Sequence, residues 1–477
     1  MARIAFCQDA MTEYIGFMYM SAVLKEAGHT VDIFIGDEMN RRRFLGQLES
    51  FNPDIVGFSV LSHSVNWSLR AGRKVKETLG AITVYGNVHV MLNPEIIEDP
   101  GVDIVCLGEG EFPMKELADC VDQGRSYSRI EGFWVKTGDG IVKNEMRKEL
   151  VDIEKLPFHD RGIYDKYFSY RHSKCLNVLN GRGCPFRCTF CSNPVLMERY
   201  GGKRYIRKLA PERAIREIEY HLGQRDVRFI DFMDEVFWVK NEWLREFLTL
   251  YKERIRLPFR ANFRFGSIRE QDVKLMAEAG AAIMAVCVEI GDENLRRTLL
   301  RKYVKDQDVY QVTEWFRKYK IAYDLTALFG LPGVTVQDHL KQLEFYRKTK
   351  PKYVWTTFFT PLPGTELTKQ KAVQDCMPTN KDFALTFHHD MYLELPDKRR
   401  LVNLKKVYFL LVLWPRASPF LVWLTRFRIP LLFDLMFFCH YSWYARAVMR
   451  ISWLRFLEHI KSFIVNPVLK KVRVLRT

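Results

Sequence analysis

At 477 residues the chain is long enough for two or three domains, and its 48% apolar fraction is ordinary for a globular protein. Ten cysteines, mostly scattered, with no secretory signal before a first strand at Met1–Cys7, argue against a disulfide framework and for a reducing, cytoplasmic compartment. The net charge of +16 is uneven: residues 399–477 hold fifteen Lys or Arg against two acids, so a partner for basic charge is expected at the tail.

Residues 1–140 alternate strand and helix signals. Arg3–Phe6, Thr30–Phe34, Pro53–Ser59, Ala81–Tyr85 and Val102–Cys106 predict strands, and a helix is expected from about Tyr14 to Ala27, closed by Gly28. Such alternation predicts a flavodoxin-like, doubly wound parallel sheet with ligands at the carboxyl ends of its strands. Three loops at those ends are built from small residues: Ser59-Val60-Leu61, Gly86-Asn87-Val88-His89 and Gly108-Glu109-Gly110-Glu111. Small residues let backbone approach a bulky ligand, although any such sheet needs glycine turns. Cys7 reads as a buried thiol at a strand end, and His89 as a plain turn or surface histidine. Residues 141–170 read as a linker, polar from Asp152 to Asp160.

From 171 to 370 strand and helix alternate again. Six strands are predicted, at 174–179, 227–233, 260–264, 281–289, 323–329 and 353–359. Six βα units make a partial barrel, with chemistry expected at the carboxyl ends of the strands. After the first of them comes Gly181-Arg-Gly-Cys184-Pro-Phe-Arg-Cys188-Thr-Phe-Cys191. A 4Fe-4S cube usually takes one cysteine per iron, so three thiolates leave one iron open to another ligand. A structural zinc site would want a fourth ligand at ribbon or finger spacing, and the next cysteine after Cys191 is Cys287. Asp234 and Glu235 end the second strand and suit a charged amine. Glu289 ends an apolar strand, where a carboxylate is costly unless paired. Gly330 opens a glycine turn after the fifth strand. Each of these residues is also open to an ordinary capping or loop role, and Cys287 is expected in the core.

From about 371 to 477 the alternation stops and a helical, basic, aromatic-rich region is expected. Val407–Trp414 is broken by Pro415, and Ile429–Cys439 carries Asp434; neither reaches the roughly 20 uncharged residues of a spanning helix. Arginines beside Trp414, Trp423, Trp443 and Trp453 suit an interfacial helix on an anionic membrane surface, and equally a cap whose apolar faces pack on the barrel. Nucleic acid is not expected, because no recognition motif accompanies the charge.

The cysteine loop resembles that of the radical S-adenosylmethionine (SAM) enzymes. The resemblance implies that Cys184, Cys188 and Cys191 hold a 4Fe-4S cluster whose open iron chelates SAM, and that Phe190 packs near its adenine. It further implies that Asp234, Glu235 and Glu289 sit where the amino group and ribose of SAM are held, with the Gly330 turn beside adenine. The first domain resembles the cobalamin-binding domain of one radical SAM class, which implies that Ser59, Leu61, Gly86, Asn87, Gly108, Glu109 and Gly110 surround cobalamin. Two departures stand out. The usual Gly-Gly is Gly86-Asn87, and the Asp-x-His-x-x-Gly motif that supplies an axial histidine is absent after the first strand, so a mode without a protein histidine on cobalt is expected. The Gly-Glu-Thr usual after the Gly330 turn is Gly333-Val-Thr, which weakens that contact. The family implies a methyltransferase acting on an unactivated carbon, fed by an electron donor such as flavodoxin or ferredoxin. The tail suggests an amphiphilic substrate: a lipid, isoprenoid or tetrapyrrole. Cyclisation, rearrangement or oxidation without methyl transfer is the first alternative, and a non-enzymatic cobalamin or SAM sensor the second.

Overall fold

The computed structural model describes residues 1–36, 41–265, 268–378 and 391–447, which belong to two compact units. One comprises Met1–Ser173 with Glu198–Tyr205; the other comprises Lys174–Met197 and the described residues from Ile206 onward.

In the first unit β1 (Arg3–Gln8), β2 (Thr30–Ile35), β3 (Ile55–Ser59), β4 (Ile82–Gly86) and β5 (Ile104–Cys106) run parallel in the order β2-β1-β3-β4-β5. The chain reverses its winding between β1 and β3, which opens a crevice over the carboxyl ends of the strands. Strands β1 and β3 are buried almost throughout, so they read as unbroken apolar runs rather than alternating ones. Phe17 of the helix Ile15–Glu26 stacks on Phe6 at 4.4 Å. An antiparallel pair, β6 (Phe133–Thr137) and β7 (Gly140–Lys143), extends the expected parallel sheet beyond β5. The segment read as a linker packs into this unit. Arg161 pairs with Glu13 in full burial at 2.5 Å, the Tyr164 hydroxyl donates to Gln8 Oε1 at 2.7 Å, and Lys166 pairs with Asp32 at 2.8 Å.

In the second unit β8 (Cys175–Val178) leads into a short antiparallel pair, β9 (Gly181–Arg182) with β10 (Arg207–Lys208). Strands β11 (Phe229–Phe232), β12 (Phe259–Phe263), β13 (Ala281–Glu289), β14 (Ala322–Phe329) and β15 (Tyr353–Phe358) follow β8 in a six-stranded parallel sheet of order β8-β11-β12-β13-β14-β15. All six expected barrel strands are present. Alternate residues of β12 and β13 point into an apolar layer in which Ala261, Phe263, Met284, Val286 and Val288 are buried. The opposite face carries Asp231 and Arg260, paired at 3.0 Å, and Asp324.

The C-terminal helices cap this barrel. Helix Lys398–Leu413 lies against β15, and Thr356 Oγ1 donates to the Lys405 carbonyl at 3.3 Å. From the terminal helix Pro430–Ala447, His440 Nδ1 hydrogen-bonds Tyr353 Oη at 2.8 Å, Tyr444 stacks on Tyr353 at 4.1 Å, and the Tyr444 hydroxyl donates to Asp324. No helix among the described residues is long and apolar enough to cross a membrane. Trp453 lies outside the described residues, as does the rest of the basic tail after Ala447.

Candidate active site

The loop from Gly183 to Ser192 is too irregular for helix or strand, and Gly183 adopts φ +85°, a conformation glycine takes without strain. Thr189 fixes the loop to the barrel. Its hydroxyl donates to the Leu299 carbonyl at 2.7 Å, its N–H to Leu300 at 3.2 Å, and its carbonyl accepts from Leu367 at 2.9 Å. Phe190 packs against the cluster of Ile290, Leu300, Leu328, Leu331 and Leu367, at the carboxyl ends of β13 and β14.

The three thiols share one neighbourhood. Asn193 donates to Cys191 Sγ through its backbone at 3.5 Å and its side chain at 3.7 Å, and the Cys191 N–H donates to the Cys188 carbonyl at 3.2 Å. Burial pushes the Cys184 thiol up to about 11, with the nearby Cys191 and Cys188 adding to the rise. Cys191 is raised for the same first reason. All ten cysteines are free thiols. A donor set of three thiols on one irregular loop, near enough to influence one another electrostatically and with no oxygen or nitrogen ligand in their spacing, fits a 4Fe-4S cluster with one open iron.

Arg264, one residue past β12, was not anticipated. Its guanidinium lies 3.4 Å from the Phe186 ring centroid, and its Nη1 donates to Cys188 Sγ at 3.2 Å. The residue falls within a predicted strand, but nothing in the sequence reveals that its side chain turns back onto the cysteine loop.

The strand-end acids divide. Asp234 is fully buried, forms an ion pair with Lys208 and accepts the Asn180 N–H at 3.1 Å, so it ties β11 to the β9–β10 pair. Burial raises its pKa and Lys208 opposes the rise. Glu235 is exposed and close enough to Cys191 to influence that thiol electrostatically. Of the two, Asp234 is taken up by Lys208, and Glu235 reaches the surface. Glu289 pairs with buried Lys302 at 3.0 Å, and its N–H donates to Thr326 Oγ1 at 3.0 Å. It adopts φ +71° where the β13–β14 register shifts, so the irregularity turns its side chain out of the ladder. Gly330 has φ +78°, and a Cβ there would come within 3.2 Å of Met391. Cys287 departs from expectation: it is half-buried, not in the core, and its charged neighbours are Lys302, Glu289, Arg260 and Arg264.

In the first unit, the β3 and β4 loops meet. Asn87 Nδ2 donates to Ser59 Oγ at 2.8 Å, while Asn87 Oδ1 accepts the Val88 N–H at 2.6 Å and caps the helix Val88–Leu92. Asn87 has φ +81° and ψ −175°, a region otherwise held almost entirely by glycine. The second residue of the expected Gly-Gly pair therefore keeps a glycine conformation without being glycine. Gly86, by contrast, has room for a Cβ, whose nearest neighbour would be Cys106 Cβ at 3.6 Å. The Leu61 N–H donates to Ser64 Oγ at 3.0 Å. His89 is no surface residue: it is buried on the short helix, hydrogen-bonded to Ser62 Oγ at 3.0 Å, and burial lowers its pKa to about 4. Cys7 is buried as expected. After β5, Gly108 has φ +107°, Glu109 accepts the Val151 N–H at 2.8 Å, and a Cβ on Gly110 would meet Met20 Sδ at 3.0 Å. Small residues and strained turns at three adjacent strand ends fit a large planar ligand such as a corrin, which backbone must approach closely.

Parallel barrel, cysteine triad and small-residue crevice together define the cobalamin-binding radical SAM enzymes. The B12 binding domain model matches residues 8–118 and the Radical SAM superfamily model residues 179–345; the chain belongs to that class. An uncharacterized methyltransferase of Pyrococcus horikoshii is 27% identical over 74% of this chain and 77% of its own. The anaerobic magnesium-protoporphyrin IX monomethyl ester cyclase of Rubrivivax gelatinosus is 24% identical over 73% of this chain and 64% of its own, slightly less than two thirds. Hopanoid C-3 methylase of Methylococcus capsulatus is 24% identical over 74% and 68%. Among solved structures, the radical SAM methyltransferase TsrM of Kitasatospora setae, with cobalamin and a 4Fe-4S cluster bound, superposes with a TM-score of 0.62 at 18% identity, covering 77% of this chain and 74% of that one. The cobalamin-dependent radical enzyme OxsB, with aqua-cobalamin and SAM bound, superposes at 0.60 and 18%, covering 79% and 55%.

Proposed function

We propose that the protein transfers a methyl group to an unactivated carbon of an amphiphilic substrate such as a lipid, isoprenoid or tetrapyrrole. The loop of Cys184, Cys188 and Cys191, fixed to the barrel through Thr189, carries this reading. When bound, the cluster, SAM and cobalamin would supply the radical that removes a substrate hydrogen and the methyl group that replaces it. The chain's own residues bind and orient. Cys184, Cys188 and Cys191 would hold the cluster, with Arg264 donating to the second sulfur. Glu235 would take the ammonium of SAM and Phe190 would face its adenine. Glu289, directed by Lys302, would reach the ribose, and the Gly330 turn would lie beside the base. Ser59, Leu61, Gly86, Asn87, Gly108, Glu109 and Gly110 would surround cobalamin, bound without a protein histidine on cobalt. The hopanoid and magnesium-protoporphyrin relatives support a large, weakly polar substrate, and the basic, aromatic tail supports an anionic membrane surface as the place where it is met. A low-potential donor such as flavodoxin or ferredoxin would complete the cycle.

The test is anaerobic reconstitution with iron, sulfide and hydroxocobalamin, followed by turnover of methyl-labelled SAM with lipid extracts. About four irons and one cobalt per chain, with label in an extracted product, are expected. Iron without cobalt, or product without label, would instead favour cyclisation, the chemistry named for the magnesium-protoporphyrin relative.

A further inference from the structure

We propose that the short helix Ser418–Leu424, the turn after it and the first turns of the terminal helix form one face that docks on an anionic lipid bilayer. The inference deepens the membrane reading of the tail and does not depend on methyl transfer. Ten of the eighteen large apolar side chains exposed among the described residues lie between Leu413 and Trp443. Scattered exposed apolar residues are ordinary, but a concentrated run of them marks an interaction surface. Leu431 is 79% exposed, Phe420 61%, Leu435 57%, Trp414 54% and Trp423 49%.

The exposure belongs to ordered elements. On the terminal helix, Phe433, His440 and Tyr444 form the buried stripe, and the last two are the anchors on Tyr353 and Asp324. Leu431, Leu435 and Cys439, spaced four residues apart, run along the other side and are all exposed; half-exposed Trp443 closes the row, its ring stacked on Phe409 at 6.1 Å. The turn between the helices is held as well: Asn403 Nδ2 donates to the carbonyls of Thr425 at 3.0 Å and Phe427 at 3.1 Å. One side of these helices is therefore committed to the barrel, and the other presents apolar groups outward.

Charge selects the partner. Arg416, Arg426 and Arg428 are exposed around the apolar residues, and the one acid between residues 399 and 447, Asp434, is taken up by Lys406. Aromatic rings beside exposed arginines match the boundary of a bilayer, where acyl chains receive the rings and anionic headgroups the guanidinium groups. A face between two copies of this chain would set those arginines against one another, which a twofold contact disfavours. No helix among the described residues is long and apolar enough to span, so the attachment proposed for this face is interfacial.

The test is flotation of the full-length, cluster-reconstituted protein with vesicles of phosphatidylglycerol and phosphatidylcholine, beside phosphatidylcholine alone. Partition about tenfold higher on the anionic vesicles, weakened by salt, is expected. Phe420→Ser/Leu431→Ser/Leu435→Ser should remove most of it with iron content unchanged. Arg426→Glu/Arg428→Glu should erase the preference for anionic lipid, which keeps the test decisive if the apolar variant fails to fold. Brominated acyl chains should quench tryptophan fluorescence in the wild type and not in the apolar variant. Absence of wild-type flotation at low salt, equal flotation of all variants, or a dimer in light scattering that the apolar substitutions dissolve would each overturn the proposal. Label transfer to a detergent-solubilised substrate, measured separately, shows whether the reaction assignment stands regardless.

Discussion

The two α/β units place their loops alike, at the carboxyl ends of parallel strands, and equip them differently. In the first unit the strand-end side chains are small or satisfied by one another, as in Asn87 on Ser59 and Ser62 on His89, and the specialised feature is backbone conformation. In the second the strand ends carry thiols and charges: the three cysteines, the Lys208–Asp234 and Lys302–Glu289 pairs, and Arg264 on Cys188. A large rigid ligand is met by shape, while a small charged one is met by placed side chains. The first kind of site should therefore fail through strain, and the second through lost ligands and unpaired charge.

The largest expected effect lies in the second unit. Cys184→Ala should lower bound iron from about four per chain to near none and abolish release of 5′-deoxyadenosine from SAM, read by metal analysis and chromatography. Full iron retention with normal cleavage would remove the distinction drawn between the units.

Lys302→Met comes next. It strands the Glu289 carboxylate in a largely buried position, and the cost should be about 3 kcal/mol, seen as a lower denaturant midpoint of the protein without cofactors. Adding Glu289→Gln should recover much of that loss. If both variants are equally unstable, the pair is not what the site depends on.

The anchor of the terminal helix gives a pH dependence. Burial raises the Asp324 pKa from 3.8 to about 7, opposed by the Tyr444 hydrogen bond and the Arg260 charge. The folded state then binds a proton more tightly than the unfolded state. Its contribution is fully present below about pH 4 and declines as pH rises toward 7, amounting to a few kcal/mol at most. Asp324→Asn should flatten this part of a stability–pH profile, and an unchanged slope would show that the carboxyl titrates normally.

The smallest effects belong to the first unit. Asn87→Val should cost about 1–3 kcal/mol through strain and the lost cap, whereas Asn87→Gly should be close to neutral because relief of strain offsets loss of the cap. Thermal unfolding of the two variants measures the difference; equal destabilisation would mean that the side chain, not the conformation, is what matters there.

The chain order of strands, the six barrel units and the cysteine triad were legible in the sequence, because apolar periodicity and ligand spacing are local properties of neighbouring residues. The Asn87 turn was legible only as a departure from Gly-Gly; its positive φ shows that the geometry persists although the residue changed. Arg264, Lys302 and Lys208 were not legible as site residues. Each reaches its partner from another element, at sequence separations of 76, 13 and 26, and no periodicity encodes that approach. Asp234 could be read as a strand-end acid suited to a cation but not as one already paired with Lys208, since strand ends follow from local pattern and pairing from the fold. The tail was ambiguous between cap and membrane face for the same reason: composition counts apolar groups without saying which side of a helix is covered. Tertiary packing divided them, by anchoring Tyr444 and His440 on the barrel and leaving Leu431 and Leu435 outside. By itself, then, the sequence determined the two α/β units and the spacing of the cysteine triad. Only the tertiary structure decided which charges meet and which apolar surface stays open, because both depend on residues brought together from distant parts of the chain.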